Sequence, residues 1–234
     1  MDILIVNINN LFYTKNLIEC LLKQTMAYSL TIIDQGSWEK GTLEYFTELV
    51  RNHNDIKLML GNDNIPLSQL WNNHYLNTKS DLICFLNNDM LVPPNFVQDT
   101  IAIFEKEPSV GCVIHATNHP QYRCYGSLRY TIMSKPVTQG WDFAVRRSAY
   151  TLISDEIKFY GGDDFLFNKF KENKWAVAMA LSSPVIHFKA RSRKYYKGAR
   201  QEESRIVADM GIERFSYQTS FTKPYPKFLE LEEE

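Results

Sequence analysis

Short apolar runs alternate with stretches of helical period through the first half of the chain. Residues 3–8, 30–33, 56–60, 82–86 and 110–114 form apolar runs of strand length. Between them, Thr14 can cap a helix whose apolar face is Leu17, Ile18, Leu21 and Leu22. Further helical stretches cover about 39–51 and 67–77, and Pro93-Pro94 opens another that runs through Phe104. Such alternation predicts an α/β fold: a mostly parallel central sheet flanked by helices on both faces. Later in the chain, residues 165–170 have helical period and 184–187 are strand-like, whereas 116–136 has no clean period. Ligands of such sheets sit beyond the carboxyl ends of the strands, which directs attention to residues 7–9, 34–37 and 87–89.

Composition narrows the class. With 234 residues, 44% hydrophobic and 23% charged, the chain is globular and neither disordered nor fibrous. A chain of this length buries roughly 70% of its unfolded surface, so its core needs no disulfide or structural metal. Cys20, Cys84, Cys112 and Cys124 form no C-x-x-C pair and read as free thiols in a reducing compartment. Residues 1–6 lack a basic leader and their apolar run stops at Asn7, so they read as a first strand and not a signal peptide. No apolar run approaches the roughly 20 residues that cross a bilayer, and a soluble, cytoplasmic protein is expected.

Four places carry residues able to do chemistry. Asn87-Asn88-Asp89 follows a buried strand, where a carboxylate beside two amides suits Mg²⁺ or Mn²⁺ and equally suits a plain Asx turn. Gly161-Gly162-Asp163-Asp164 precedes a helical run; its carboxylates fit a general base or simply complement a helix N-terminus. His187 ends a strand, as a structural histidine or a metal ligand. Finally, six of the twelve residues 189–200 are basic, with Tyr195 and Tyr196 among them: a solvated loop or a clamp on phosphates.

Together these residues resemble the inverting family 2 glycosyltransferases of the GT-A fold, in the same order along the chain. Asn7, Asn9 and the pair Gln24-Thr25 stand where that family has its first turn and the end of its first helix. The segment Asp34-Gln35-Gly36-Ser37-Trp38-Glu39 is similar to its V-D-D-G-S-x-D element. Residues 64–89 align without a gap to its long N-x-G to L-N-x-D segment, with Asn64 and Asn72 on asparagine positions and Asn87-Asn88-Asp89 on the metal motif. Pro93-Pro94, Asp155-Glu156, Asp163-Asp164 and His187 continue the series. The resemblance covers residues 3–188. It implies a single GT-A catalytic domain over 1–188, with a nucleotide-binding half at 1–115 and an acceptor-side half at 116–188. Residues 189–234 would be a basic lid and helical extension with an acidic tip.

The resemblance also implies roles. Asp34 would accept a hydrogen bond from the nucleobase of a nucleotide-sugar, with Asn7, Asn9, Asn64, Asn72 and Asn88 also on the donor side. Asp89 and His187 would hold a divalent cation, Mn²⁺ or Mg²⁺, against the diphosphate. Asp164 would be the general base and Asp163 would orient acceptor or sugar, while Lys189, Arg191 and Arg193 would meet the phosphates. Trp141 and Tyr160 would be stacking platforms for the acceptor, each equally able to be core. The implied activity is transfer of a sugar, from a UDP-sugar by leaning, to the hydroxyl of a glycan or other acceptor. Three departures stand out: Gln35 for an aspartate, Pro66 for a glycine, and Asp89 as the only carboxylate of the metal motif.

Other classes stay in view. A noncatalytic nucleotide-sugar or carbohydrate-binding module of the same fold would fit the depleted metal motif. A nucleotidyltransferase would need a glycine-rich loop after the first strand, and residues 7–14 contain no glycine. The net charge of -1 speaks against a dedicated nucleic-acid binder. It conceals residues 189–228, with 10 basic and 4 acidic residues, which keep a modified nucleic-acid base open as an acceptor.

Overall fold

The computed structural model describes residues 1–61, 64–117, 126–134, 139–188 and 199–213. Strands β1 (Asp2–Asn7), β2 (Ser29–Gln35), β3 (Ile56–Gly61) and β4 (Leu82–Asn87) are separated by α1 (Leu11–Leu22), α2 (Thr42–Asn52) and α3 (Leu67–Asn77). These four strands lie side by side in the order β3-β2-β1-β4, all parallel. Then follow β5 (Met90–Leu91), α4 (Phe96–Lys106), β6 (Val110–Thr117), β7 (Tyr130–Ile132), β8 (Asp142–Arg146), α5 (Gly162–Glu172), β9 (Ala176–His187) and α6 (Ala199–Asp209). Here the sheet becomes mixed. β8 runs antiparallel between β4 and β6, β9 runs parallel to β6, and both β5 and β7 pair antiparallel with β9. The parallel arrangement expected from the sequence holds for the first four strands and gives way after β4.

Strand side chains alternate between two cores, as the period of two demands. Ile3 and Ile5, Cys84 and Leu86, and Ala144 face one core with Leu17, Ile18 and Leu21 of α1, Phe46 of α2 and Phe96 of α4. Leu4, Ile83, Phe85, Phe143 and Val145 face the other, with Trp71 of α3, Phe167 and Phe170 of α5, and Val207 of α6. Helices thus cover both faces, and the central strands β1 and β4 are mostly buried and apolar for that reason, whereas the edge strand β3 leaves Met59 and Leu60 exposed. Cys84 and Cys112 are free and buried, with burial pushing both thiols up, and Cys20 is a partly buried free thiol. Cys124 lies outside the described residues.

Several boundaries differ from the sequence expectation, each for a tertiary reason. Thr14 is not the cap of α1. The helix starts three residues earlier, after Asn9 and Asn10 in left-handed conformations, and the Leu11 amide donates to the Glu39 carboxylate at 2.9 Å. α2 begins only at Thr42, behind Gly41, whose left-handed φ of 87° is not helical. α4 likewise starts at Phe96 and not at the prolines; the Gln24 amide donates to Pro93 O and accepts from Val97 N. β9 is much longer than the expected 184–187. Its pairing with β6 breaks register between His115 and Thr117, next to the stretch holding Pro184, which cannot donate to a ladder.

Candidate active site

Strand direction gathers the candidate residues at one end of the sheet. Asn7 pairs with Asp34 across β1 and β2, and Val6 pairs with Asn87 across β1 and β4. β8 runs antiparallel to β4, so its first residue, Asp142, sits opposite Leu86 and Trp141 is brought to the same end. β5 turns back from Asp89 to pair Met90 with His187 at the end of β9. Residues far apart in sequence therefore converge because each ends or begins a strand at this edge.

On the β1–β2 side the side chains bond one another. Asn7 Nδ2 donates to Asp34 Oδ1 at 2.6 Å, and the Ser37 hydroxyl donates to the same oxygen at 2.5 Å while its amide donates to Asp34 Oδ2 at 3.0 Å. Asn7 Oδ1 accepts from Thr14 Oγ1 at 2.7 Å and from Asn88 Nδ2 at 2.8 Å. Asn9 Oδ1 accepts from the amides of Trp38 and Glu39, fixing the turn after β2. Asp34, read from the sequence as the group that meets a base, has both carboxylate oxygens engaged within this network. Gln35 beside it is 3% exposed, and neither polar atom of its amide has a partner. Leaving such atoms buried and unsatisfied costs about 1–3 kcal/mol, a cost that a bonding ligand or water at this strand end would offset. Asn64 is exposed in the connection between β3 and α3.

The metal-side residues face each other. Asp89 Oδ1 and His187 Nε2 are 3.3 Å apart, with Asp89 1% and His187 8% exposed. A carboxylate oxygen and an imidazole nitrogen so placed can be neighbours in one coordination shell of Mn²⁺ or Mg²⁺, with other positions left to phosphate and water. Among the described residues no group of three or more His, Cys, Asp or Glu is placed to hold a metal. Trp141 lies parallel on the His187 ring at 5.0 Å and donates from Nε1 to Thr117 Oγ1 at 3.1 Å. One face of the indole is therefore taken up by the imidazole. Behind it lies a buried cluster without a signal in the sequence: Asp142 bonds His115 Nδ1 at 2.8 Å and the Gln139 amide. Burial pushes the Asp142 carboxyl up, and the bonds from His115 and Gln139 pull it back.

Asp163 and Asp164 fall in the first turn of α5, which follows Gly161 with φ 87°. A Cβ on Gly140 would lie 2.7 Å from Asp163 Oδ2, so Asp163 rests against the backbone beside Trp141. This contact links the acidic turn to the Trp141–His187–Asp89 group. Asn72 sits away from the Asn7 network: its amide donates to Ile153 O and accepts from Ile153 N and Tyr150 Oη, pinning the segment that leads to the turn. Tyr160 stands immediately before Gly161. Lys189, Arg191 and Arg193 lie outside the described residues.

A sequence model of glycosyl transferase family 2 matches residues 2–171. The chain belongs to that family. Solved structures agree on the fold: this family 2 member superposes on GalNAc-T7 with TM-score 0.65 at 16% identity, covering 80% of this chain and 42% of the other. It also matches TarS of S. aureus in complex with UDP-GlcNAc, with TM-score 0.61 at 14% identity over 81% of this chain and 59% of that one. For the mannosyltransferase PcManGT from Pyrobaculum calidifontis the TM-score is 0.65 at 11% identity, over 92% and 65%. The fold is GT-A. A curated relative, the uncharacterized protein y4gI of Sinorhizobium fredii, is 24% identical over 126 residues. The chain spans 14% of that relative and 42–65% of these structures.

Proposed function

We propose that the protein is a metal-dependent, inverting glycosyltransferase that moves a sugar from a nucleoside-diphosphate sugar to an acceptor hydroxyl. The observation that carries this reading is the convergence of Asp89, His187 and Asp163 around Trp141 and Gly140, at the strand ends of a family 2 fold, with Asp164 next to Asp163 in the first turn of α5. The structures of GalNAc-T7 and PcManGT contain Mn²⁺, and the latter GDP-Man. Here Asp89 and His187 would hold such a cation, which when bound would offset the charge developing on a leaving diphosphate. Gln35 would read the nucleobase edge with its open amide, while Asp34 keeps Asn7 and Ser37 in place. Lys189, Arg191 and Arg193 would add positive charge near the phosphates. Asp163, braced on Gly140, would orient the sugar or acceptor.

Asp164 would take the proton of the acceptor hydroxyl as its oxygen forms a bond to the anomeric carbon. The bond from that carbon to the diphosphate breaks on the opposite side, so the nucleoside diphosphate leaves and the configuration inverts. Replacing Asp164 by Asn keeps shape and removes the base. Turnover should fall by roughly 10²-fold or more while donor affinity stays within about twofold, measured by product formation and by titration calorimetry. Near-normal turnover in Asp164→Asn would remove this assignment.

A further inference from the structure

α6 lies against the turn that leads into α5. Glu203, on α6, is 3% exposed, and its Oε2 accepts from the backbone amides of Phe159 at 2.8 Å and Tyr160 at 2.6 Å. One residue on, Gly161 takes a left-handed φ of 87°, and a Cβ there would lie 2.5 Å from Val207 Cγ2, so α6 packs on the glycine itself. The other side of the same segment is tied to α3: the Ser68 amide donates to Lys158 O at 3.0 Å and its hydroxyl donates to Ile157 O. Beyond α6, Glu213 exchanges hydrogen bonds with the Asn168 amide on α5. The acidic turn is thus held from two sides, and on the α6 side one carboxylate oxygen accepts from two successive backbone amides.

A buried carboxylate is costly unless its charge is met, and two backbone N–H groups just before a helix start meet it well. An apolar residue at 203 would remove the carboxylate oxygen to which the amides of 159 and 160 donate. We propose that Glu203 is a positioning residue for sugar transfer: through the Phe159 and Tyr160 amides it fixes the first turn of α5 and so the place of Asp164. This rests on Asp164 being the base, as argued above. What matters is the reach of the side chain and its accepting oxygen. Glutamine preserves both, whereas aspartate keeps the charge and is one methylene too short.

Wild type, Glu203→Gln, Glu203→Asp and Asp164→Asn are compared for nucleoside diphosphate release in Mn²⁺. The donor is whichever of UDP-glucose, UDP-GlcNAc, UDP-GalNAc and GDP-mannose wild type turns over fastest. Glu203→Gln should keep kcat within about threefold, while Glu203→Asp should lose roughly tenfold or more in kcat with donor KM within about twofold. A wild-type kcat in Glu203→Asp, or an equal loss in Glu203→Gln, overturns the proposal. If Asp164→Asn keeps its turnover, the base assignment and this proposal fall together. If it is inactive while Glu203→Asp is normal, only the role of Glu203 falls. Amide exchange at Phe159 and Tyr160 tests the anchor without any donor: it should be fast in Glu203→Asp and slow in Glu203→Gln, and equal protection in both overturns it.

Discussion

Asp34 and Gln35 are neighbours on β2, and their opposite circumstances follow from strand alternation. Asp34 faces Asn7 and Ser37 and has both oxygens engaged, whereas the Gln35 amide is buried with neither atom bonded. Replacing Gln35 by Leu should therefore do two things at once. It should stabilise the free protein by on the order of 1 kcal/mol, because an unsatisfied amide is removed. It should also weaken nucleotide-sugar binding by roughly tenfold, the worth of a lost hydrogen bond. Thermal unfolding and titration calorimetry on the same variant check both, and unchanged affinity would remove Gln35 from the donor site. The sequence marked both positions, through their place after a strand, and the resemblance implied the base contact for Asp34; the open amide of Gln35 is a second polar group at the same strand end. Residue type does not say which polar atoms neighbours have already used. Glu203 is the extreme case: nothing in its local sequence marks a buried carboxylate whose partners lie more than forty residues earlier.

Among the elements, what was legible is what local period decides. The span expected for α3 is the one observed, and the apolar strands β1 to β4 stand where their runs predicted. Starts fixed from a distance were not legible, as the Glu39 carboxylate meeting the first amide of α1 illustrates. β8 is five residues long with a buried acidic first residue, so it gave no strand signal although it carries Asp142 and adjoins Trp141. The Gln24 clamp turns such a distant contact into a number. Its side chain bonds Cys20 O, Pro93 O and Val97 N, joining the end of α1 to the start of α4. Gln24→Ala leaves the Val97 amide without its cap and should cost about 1–2 kcal/mol. That corresponds to a fall of several degrees in Tm by differential scanning calorimetry, and an unchanged Tm would show that the clamp contributes nothing.

At the scale of the molecule, direction of travel makes the site. Parallel strands deliver Asn7, Asp34 and Asn87 to one edge, and β8, β5 and β9 bring Trp141, Asp89 and His187 to it. The acidic turn of α5 meets this group at Gly140. The near-neutral chain then places its basic stretch, 189–228, directly after His187. Among the described residues no helix is long and apolar enough to cross a membrane. In the proposed function, this edge binds a nucleoside-diphosphate sugar through a cation held by Asp89 and His187. Thermal unfolding of wild type and Asp89→Ala against UDP-sugars and GDP-mannose, with Mn²⁺ and with EDTA, tests it most directly. At donor concentrations about a hundredfold above Kd, wild type should gain about 2.7 kcal/mol of stability in Mn²⁺. EDTA and Asp89→Ala should each abolish that gain. No stabilisation by any of these donors, or the same stabilisation in EDTA and in Asp89→Ala, would contradict it.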